Sequence, residues 1–175
     1  ASAGDRRSWP ERAAAAAPAA RLGRQMAEAM APGLRSGGAC TPLGPDGIGG
    51  SSVGQANAPD YATWRSAGAA QLVTGSVEIS GPDSIRVGCY LHDVTAGREL
   101  ARQGFSVAAA NWRRAAHKCA DLVYARLTGE GAYLDTRIVF VAETGPKTNR
   151  VKRIALMDSD GSNLRYLTPG QSTVT

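Results

Sequence analysis

Two cysteine–histidine pairs, Cys89-x-x-His92 and His117-x-Cys119, carry the side chains that most often ligate zinc, so metal binding is the first chemistry to weigh. The spacing speaks against convergence. Positions three apart on a strand project from opposite faces, and positions two apart on a helix are about 200° apart, so neither pair aims at one ion. We read the cysteines as core residues and the histidines as edge residues. Asp158-x-Asp160-Gly161-x-Asn163 has the alternating oxygens of the first half of a calcium loop, but residues 164–170 supply no bidentate acid. A polar hairpin turn calls for the same residue types, because Asp, Asn and Gly tolerate its backbone angles.

Nucleophilic catalysis finds two imidazole–carboxylate neighbours, His92 with Asp93 and His117 with Asp121. No GxSxG elbow accompanies them. His117 and Asp121, at i and i+4 on a helix, read as a solvated pair worth a few tenths of a kcal/mol, as such pairs typically are. The glycine runs at 36–38 and 44–50 sit in a loop rather than between a strand and a helix, which is no phosphate cradle. Trp64 and Trp112 fall on apolar faces of expected helices and read as packing residues rather than base-stacking platforms. The expectation is a chain without catalytic, cofactor-binding or metal-ligating residues, and not an enzyme.

Charge gives a second exclusion. The net charge is +5 over 175 residues, but basic exceed acidic residues by no more than two in any of 1–60, 61–130 and 131–175. Nucleic-acid affinity needs cations gathered on one face. The densest group, Lys147, Arg150, Lys152 and Arg153, is short enough to be a solvated turn, so a weak anionic-surface binder is the lesser reading and no nucleic-acid partner is expected. Cys40, Cys89 and Cys119 are odd in number, which leaves compartment and redox state open. No run of 18 apolar residues is present, and the opening segment lacks the apolar stretch of a signal peptide.

These side chains must be positioned by a modest core. Residues 1–20 are charged and then alanine-rich, and read as a disordered or atypical tail. Leu22, Met26 and Met30 form an amphipathic stripe that Leu34 would continue, but Pro32-Gly33 predicts a helix over 22–31 that ends or kinks near Ala31. Residues 36–59 read as a loop. Asp60 can cap a short helix carrying Tyr61, Trp64 and Arg65 and ending near Gly68. Residues 70–107 read as three antiparallel strands, with Val73, Gly75, Val77 and Ile79 on one face, then Ile85, Val87, Cys89 and Leu91, then Phe105 and Val107. A helix over 111–128, capped by Asn111, places Trp112, Ala116, Cys119, Val123 and Leu127 on one face and stops at Gly129. Helices on one face of one sheet make a two-layer α/β (α+β) domain with a mainly antiparallel or mixed sheet and two main helices. From residue 136 only short strands follow, IVFVAE, VKRIALMD and NLRYLT. Their apolar faces at Ile138, Phe140, Ile154 and Leu156 want neighbours. A further strand is expected to begin at 172–175, and the expectation is that a larger repeat array has been cut off.

The run YLDTRIVFVAETGPKTNRVKRIALMDSDGSNLRYLT (133–168) closely resembles the junction and first propeller blade of the TolB family. The segments DYATWRSAGAAQLVTGSV (60–77), HDVTAGREL (92–100) and NWRRAAHKCADLVYARLTGEGAYLDTR (111–137) resemble its amino-terminal domain in order and spacing, so about residues 21–175 are covered. After the tail read at 1–20, the resemblance implies an α/β domain at 21–131 and the truncated first blade of a β-propeller at 132–175. It further implies a non-enzymatic periplasmic scaffold of the Tol-Pal envelope system, serving outer-membrane integrity and cell division and exploited by colicins. The family's propeller docks the lipoprotein Pal, and its amino-terminal segment engages TolA; membrane association would be through these partners. In the family an extended segment before the first helix supplies a strand and the mature amino terminus carries the TolA contact, and ASAGDRRSWPERAAAAAPAA resembles neither. Without the remaining blades, these residues would lack the Pal-docking surface. The alternative is an accessory domain of a propeller-type hydrolase whose catalytic domain lies elsewhere.

Overall fold

The computed structural model describes residues 9–38, 40–43 and 59–170. The tail reading at 1–8, most of the loop reading at 36–59 and the strand read at 172–175 lie outside these residues. Helix α1 (Trp9–Ser36) is followed by the short α2 (Tyr61–Ser66), strands β1 (Gln71–Ile79), β2 (Ser84–Asp93) and β3 (Arg98–Ala108), and helix α3 (Trp112–Thr128). Strands β4 (Arg137–Thr144), β5 (Val151–Asp158) and β6 (Arg165–Tyr166) complete the order.

The first sheet is the expected meander, β1-β2-β3, antiparallel throughout. Its register pairs Val73 with Leu91, Gly75 with Cys89, Val77 with Val87 and Ile79 with Ile85, which gathers the apolar members of both strands on one face. Phe105 and Val107 join that face opposite Val87 and Ile85. Helices α1 and α3 lie on this face and against each other. Ile85, Val87, Cys89 and Leu91 are buried there with Met26, Met30, Leu34, Ala116, Cys119 and Val123. Small residues on α3, Ala115, Ala116 and Ala120, let the helix sit close to the sheet.

Two helix boundaries correct the expectations. The alanine-rich stretch read as a tail is helical from Trp9, in keeping with the high helix propensity of alanine, and α1 runs through both Pro18 and Pro32 to Ser36. An interior proline costs about 3 kcal/mol. Beyond Pro32, Leu34 is buried in the core, and burying such a side chain returns about 1.5–3 kcal/mol. The last turn adds Gly37 N–H to Gly33 O at 3.0 Å and the Ser36 hydroxyl to Gly33 O at 3.1 Å. At the other helix, Asn111 precedes α3 but its side chain makes no capping bond; a 3-10 turn over Ala109–Asn111 leads in instead. Gly129 ends α3 as expected, with φ 75° and its N–H on Ala125 O.

Asp60 caps α2, accepting from the N–H groups of Ala62 and Thr63. This short helix covers one end of the sheet's other face, where Leu72, His92 and Val94 are buried, and Arg65 donates to Val94 O and Thr95 O at 2.9 and 3.1 Å.

The second sheet is β4-β5-β6, also antiparallel. Its last strand is shorter than the NLRYLT reading, because Asn163 takes a left-handed φ of 54° and the ladder closes through a side chain: Ile154 N–H donates to Thr168 Oγ1 at 3.0 Å.

The continuation of α1 past Pro32 has a direct test. Leu34→Ala should destabilise the chain by about 3 kcal/mol in urea unfolding, whereas a helix ending at Ala31 would leave Leu34 dispensable.

Candidate functional site

Helix α3 presents a polar ridge, Arg113, Arg114, His117, Lys118 and Asp121, to the segment that joins the two sheets. The sequence reading of His117 and Asp121 as a solvated pair is overturned: both are buried, and they hold different partners. Asp121 Oδ1 accepts from the backbone N–H groups of Tyr133 and Leu134 at 2.9 and 2.6 Å, and Oδ2 accepts from that of Asp135 at 3.0 Å. A buried carboxylate is costly unless its oxygens are satisfied, and three charge-assisted bonds do so. Leu134, drawn in by these bonds, is buried in the core beneath the helices.

His117 reaches one turn further. Its Nε2 donates to Asp160 Oδ2 at 3.2 Å, and Arg113 donates to the same oxygen at 3.3 Å. Asp160 Oδ1 accepts from Ser162 N–H at 2.8 Å, while Asp158 Oδ2 accepts from the Asn163 amide at 2.6 Å. The turn reading of 158–163 therefore holds, and its oxygens are committed to protein donors. Burial alone would raise the Asp160 carboxyl; the Ser162 and His117 bonds outweigh it and hold the group below the usual carboxylate range. Asp135 is bracketed by Arg114 at 3.2 Å and Lys118 at 3.4 Å. Ser159 completes the seam, its hydroxyl donating to Leu134 O at 2.5 Å and its N–H to Thr136 O at 3.1 Å.

An aromatic buttress adjoins the seam. Tyr124 and Tyr133 meet edge to face at 5.0 Å, and a Cβ at Gly37 would fall 2.7 Å from the Tyr124 ring, so the end of α1 approaches only because that residue is glycine. The Tyr124 hydroxyl donates to Glu130 at 2.5 Å, and this bond, with burial, pushes the phenol up to about 12.

The other candidates are placed apart. Cys89 and His92 lie on opposite faces of β2, as their spacing predicts. Cys89 and Cys119 are both in the core. His92 is a buried residue rather than an edge one: Tyr61 OH lies 3.1 Å from Nδ1 and Thr74 Oγ1 lies 3.0 Å from Nε2. Its neighbour Asp93 turns away and accepts from Ala96 N–H at 2.8 Å. Trp112 packs against the core with Arg113 4.6 Å above its ring, and Trp64 is half-buried on α2. The basic run does not converge: Arg150 and Lys152 both pair with Glu143, at 2.6 and 3.3 Å, and Arg153 lies 5.2 Å over Tyr166. The glycine run at 44–50 lies outside the described residues.

The second sheet is apolar on both faces. Val139, Val141 and Ile154 share one face through their pairing, Ile138, Phe140 and Tyr166 the other. Val139 is 62% and Val141 59% exposed, high for β-branched residues within a strand. The residues that sequence reasoning missed are those of the seam, Asp135, Ser159 and Leu134. The acidic and basic residues of the ridge at steps of three and four were the available signal.

Comparison with known proteins follows this geometry. Residues 10–100 match the family described as the TolB amino-terminal domain. The chain is 54% identical over 155 residues to the Tol-Pal system protein TolB of Rhizorhabdus wittichii, covering 89% of this chain and 35% of that protein. It is 52% identical over 153 residues to the Tol-Pal system protein TolB of Zymomonas mobilis, covering 87% and 33%. Among solved structures, the crystal structure of TolB from Acinetobacter baumannii superposes with a TM-score of 0.56 at 27% identity, over 63% of this chain and 27% of that one. The chain thus spans about a third of the length of these relatives.

Two outcomes test this geometry. Asp121→Ala, which orphans three N–H groups, should cost about 3 kcal/mol and open residues 129–136 to protease before the rest of the chain is cut. Burial, only partly opposed by Glu99 and reinforced by Arg102, lowers the His92 pKa from its usual 6.5. The unfolded chain therefore takes the proton more readily; the contribution of the neutral ring is whole above pH 6.5 and is lost as pH falls through the folded value. Thermal melts between pH 7.5 and 5 should show the wild type losing more stability than His92→Gln, which keeps the polar partners without titrating.

Proposed function

The chain belongs to the TolB amino-terminal domain family, and from that premise we propose that it is part of a non-enzymatic periplasmic scaffold of the Tol-Pal envelope system, which works by holding protein partners. The observation that carries this reading is the seam on α3. Both imidazoles and the Asp121 carboxylate, weighed for catalysis, are instead engaged in joining one segment to the next: His117 and Asp121 to the junction and turn, His92 to α2. Such a molecule transmits position rather than performing a reaction.

On this reading residues 21–131 are a folding unit and 132–175 the first blade of a propeller whose other blades lie in the part of the relatives this chain does not span. The two-faced apolar sheet supports that division. A blade inside a propeller is covered on both faces by its neighbours, so Val139, Val141 and Ile154 would be interior there. Pal would dock on the assembled propeller, and TolA would engage a segment at the amino-terminal side. No helix among the described residues is long and apolar enough to cross a membrane, which suits attachment through partners. The accessory-domain reading for a propeller-type hydrolase gains no support from relatives that carry the Tol-Pal name.

Pull-down of purified Pal and TolA ectodomains by the full-length protein that carries this segment tests the reading. Pal should be retained by the full-length protein and lost, by tenfold or more in affinity, when only residues 1–175 are presented. Hydrolytic turnover that disappears with His92→Ala or His117→Ala would overturn the scaffold assignment.

A further inference from the structure

Strand β4 is an open edge. It pairs with β5 alone in the order β4-β5-β6, and among the described residues no strand lies along its outer side. The direction of its free backbone groups follows from the far side of the sheet. Leu167 N–H donates to Ile154 O at 2.7 Å and Ile154 N–H to Thr168 Oγ1 at 3.0 Å, so Ile154 turns its backbone toward β6. Backbone groups alternate in direction along a strand, so Ala155 turns toward β4 and its partner Phe140 toward β5. The N–H and C=O groups of Val139 and Val141 therefore point out of the sheet.

Such an edge is ordinarily blunted by a charge, a proline or a bulge. The interior of β4, Ile138 to Ala142, is IVFVA and has none of these, and its register with β5 runs without a shift. The opposite edge is blunted: β6 is two residues long, preceded by Asn163 at φ 54° and followed by Pro169. Val139 and Val141 are also more than half exposed.

We propose that the 175-residue chain forms a two-fold dimer through this edge, with β4 antiparallel to β4 of a second copy about Phe140. In that register Val139 faces Val141 of the second copy, both with outward backbone groups, so each such pair exchanges both of its hydrogen bonds. Phe140 meets Phe140 of the second copy across the axis, an aromatic cross-strand pair. The interface is isologous, and one sheet runs through both copies.

The charges select this register. Arg137 falls opposite Glu143 of the second copy. Within one chain Lys152 lies 3.3 Å from Glu143, and Arg137 lies 3.9 Å from Asp158. The row across the axis therefore reads Lys152 and Glu143 of one copy, then Arg137 and Asp158 of the other, with the sign alternating at every step. Arg150 joins Glu143 from the turn, at 2.6 Å. Moving the axis to Val139 would set Arg137 against Val141, and moving it to Val141 would set Glu143 against Val139; either loses the match that opposite cross-strand charges provide. The pairing does not rest on the Tol-Pal reading. Further blades would cover the faces of this sheet, whereas the dimer uses its edge.

Sedimentation of the 175-residue chain from about 1 µM to about 1 mM should show a monomer giving way to a species of twice its mass. A monomer throughout would overturn the proposal. Val141→Pro removes an outward N–H, a change that an edge position tolerates, and should weaken association by about tenfold or more; unchanged association would place the contact elsewhere and overturn it. Arg137→Glu and Glu143→Lys each set like charges together across the axis, so each alone should associate more weakly. An equal mixture of the two should associate as the wild type does, because every charge again meets its opposite. No recovery in the mixture would contradict the register. Should a variant fail to fold, amide exchange on the wild type decides: the Val139 and Val141 N–H groups should exchange slowly at about 1 mM and rapidly at about 1 µM. Equal rates at both concentrations would overturn the dimer.

Discussion

One buried carboxylate organises the second half of this molecule. Asp121 sits on α3 with both oxygens turned to three consecutive backbone N–H groups, and an ionised group in such surroundings is tolerable only while those bonds persist. The consequence is geometric. Three successive amides bound to one side chain leave residues 133–135 no freedom to rotate, so Leu134 is delivered into the core and β4 begins in a set direction. His117, Arg113 and Asp160 repeat the device one turn earlier on the same helix, fastening the hairpin turn after β5 to that ridge.

The core beneath is small and depends on close approach. Alanine at 115, 116 and 120 lets α3 settle on β2, and glycine at 37 lets the end of α1 come against Tyr124. Such packing leaves little tolerance for added volume. It also explains the length of α1: the turn beyond Pro32 persists because Leu34 gains more from burial than a free end would, even with a hydrogen bond missing.

The titratable side chains of the described residues are set apart by where they point. In an active site, titratable side chains converge on an accessible space; here they converge on backbone donors and on one another. His92 is bracketed by two hydroxyls, Asp160 by a histidine and an arginine, and Glu143 by Arg150 and Lys152. Most of the large apolar side chains left exposed among the described residues lie on or beside the second sheet, which is where further structure or partners have something to bury.

The meander of residues 71–108, the helix ending at Gly129, the cap at Asp60 and the turn at 158–163 were all legible in the sequence, because each rests on local rules: period-two alternation, three-and-four spacing, and residues that suit a cap or a turn. The opposite facing of Cys89 and His92 followed from the same periodicity. What the sequence could not supply was the partner of each polar residue. His117 and Asp121 lie four apart on a helix, and local reasoning pairs them with each other; only the packed structure shows them buried, one holding the junction backbone and the other Asp160, forty-three residues away. Pro32 likewise marks a helix end by every local rule, yet the core decides otherwise. Local geometry follows from neighbours along the chain, whereas burial, which turns a weak surface pair into two anchors, exists only when distant segments close over it.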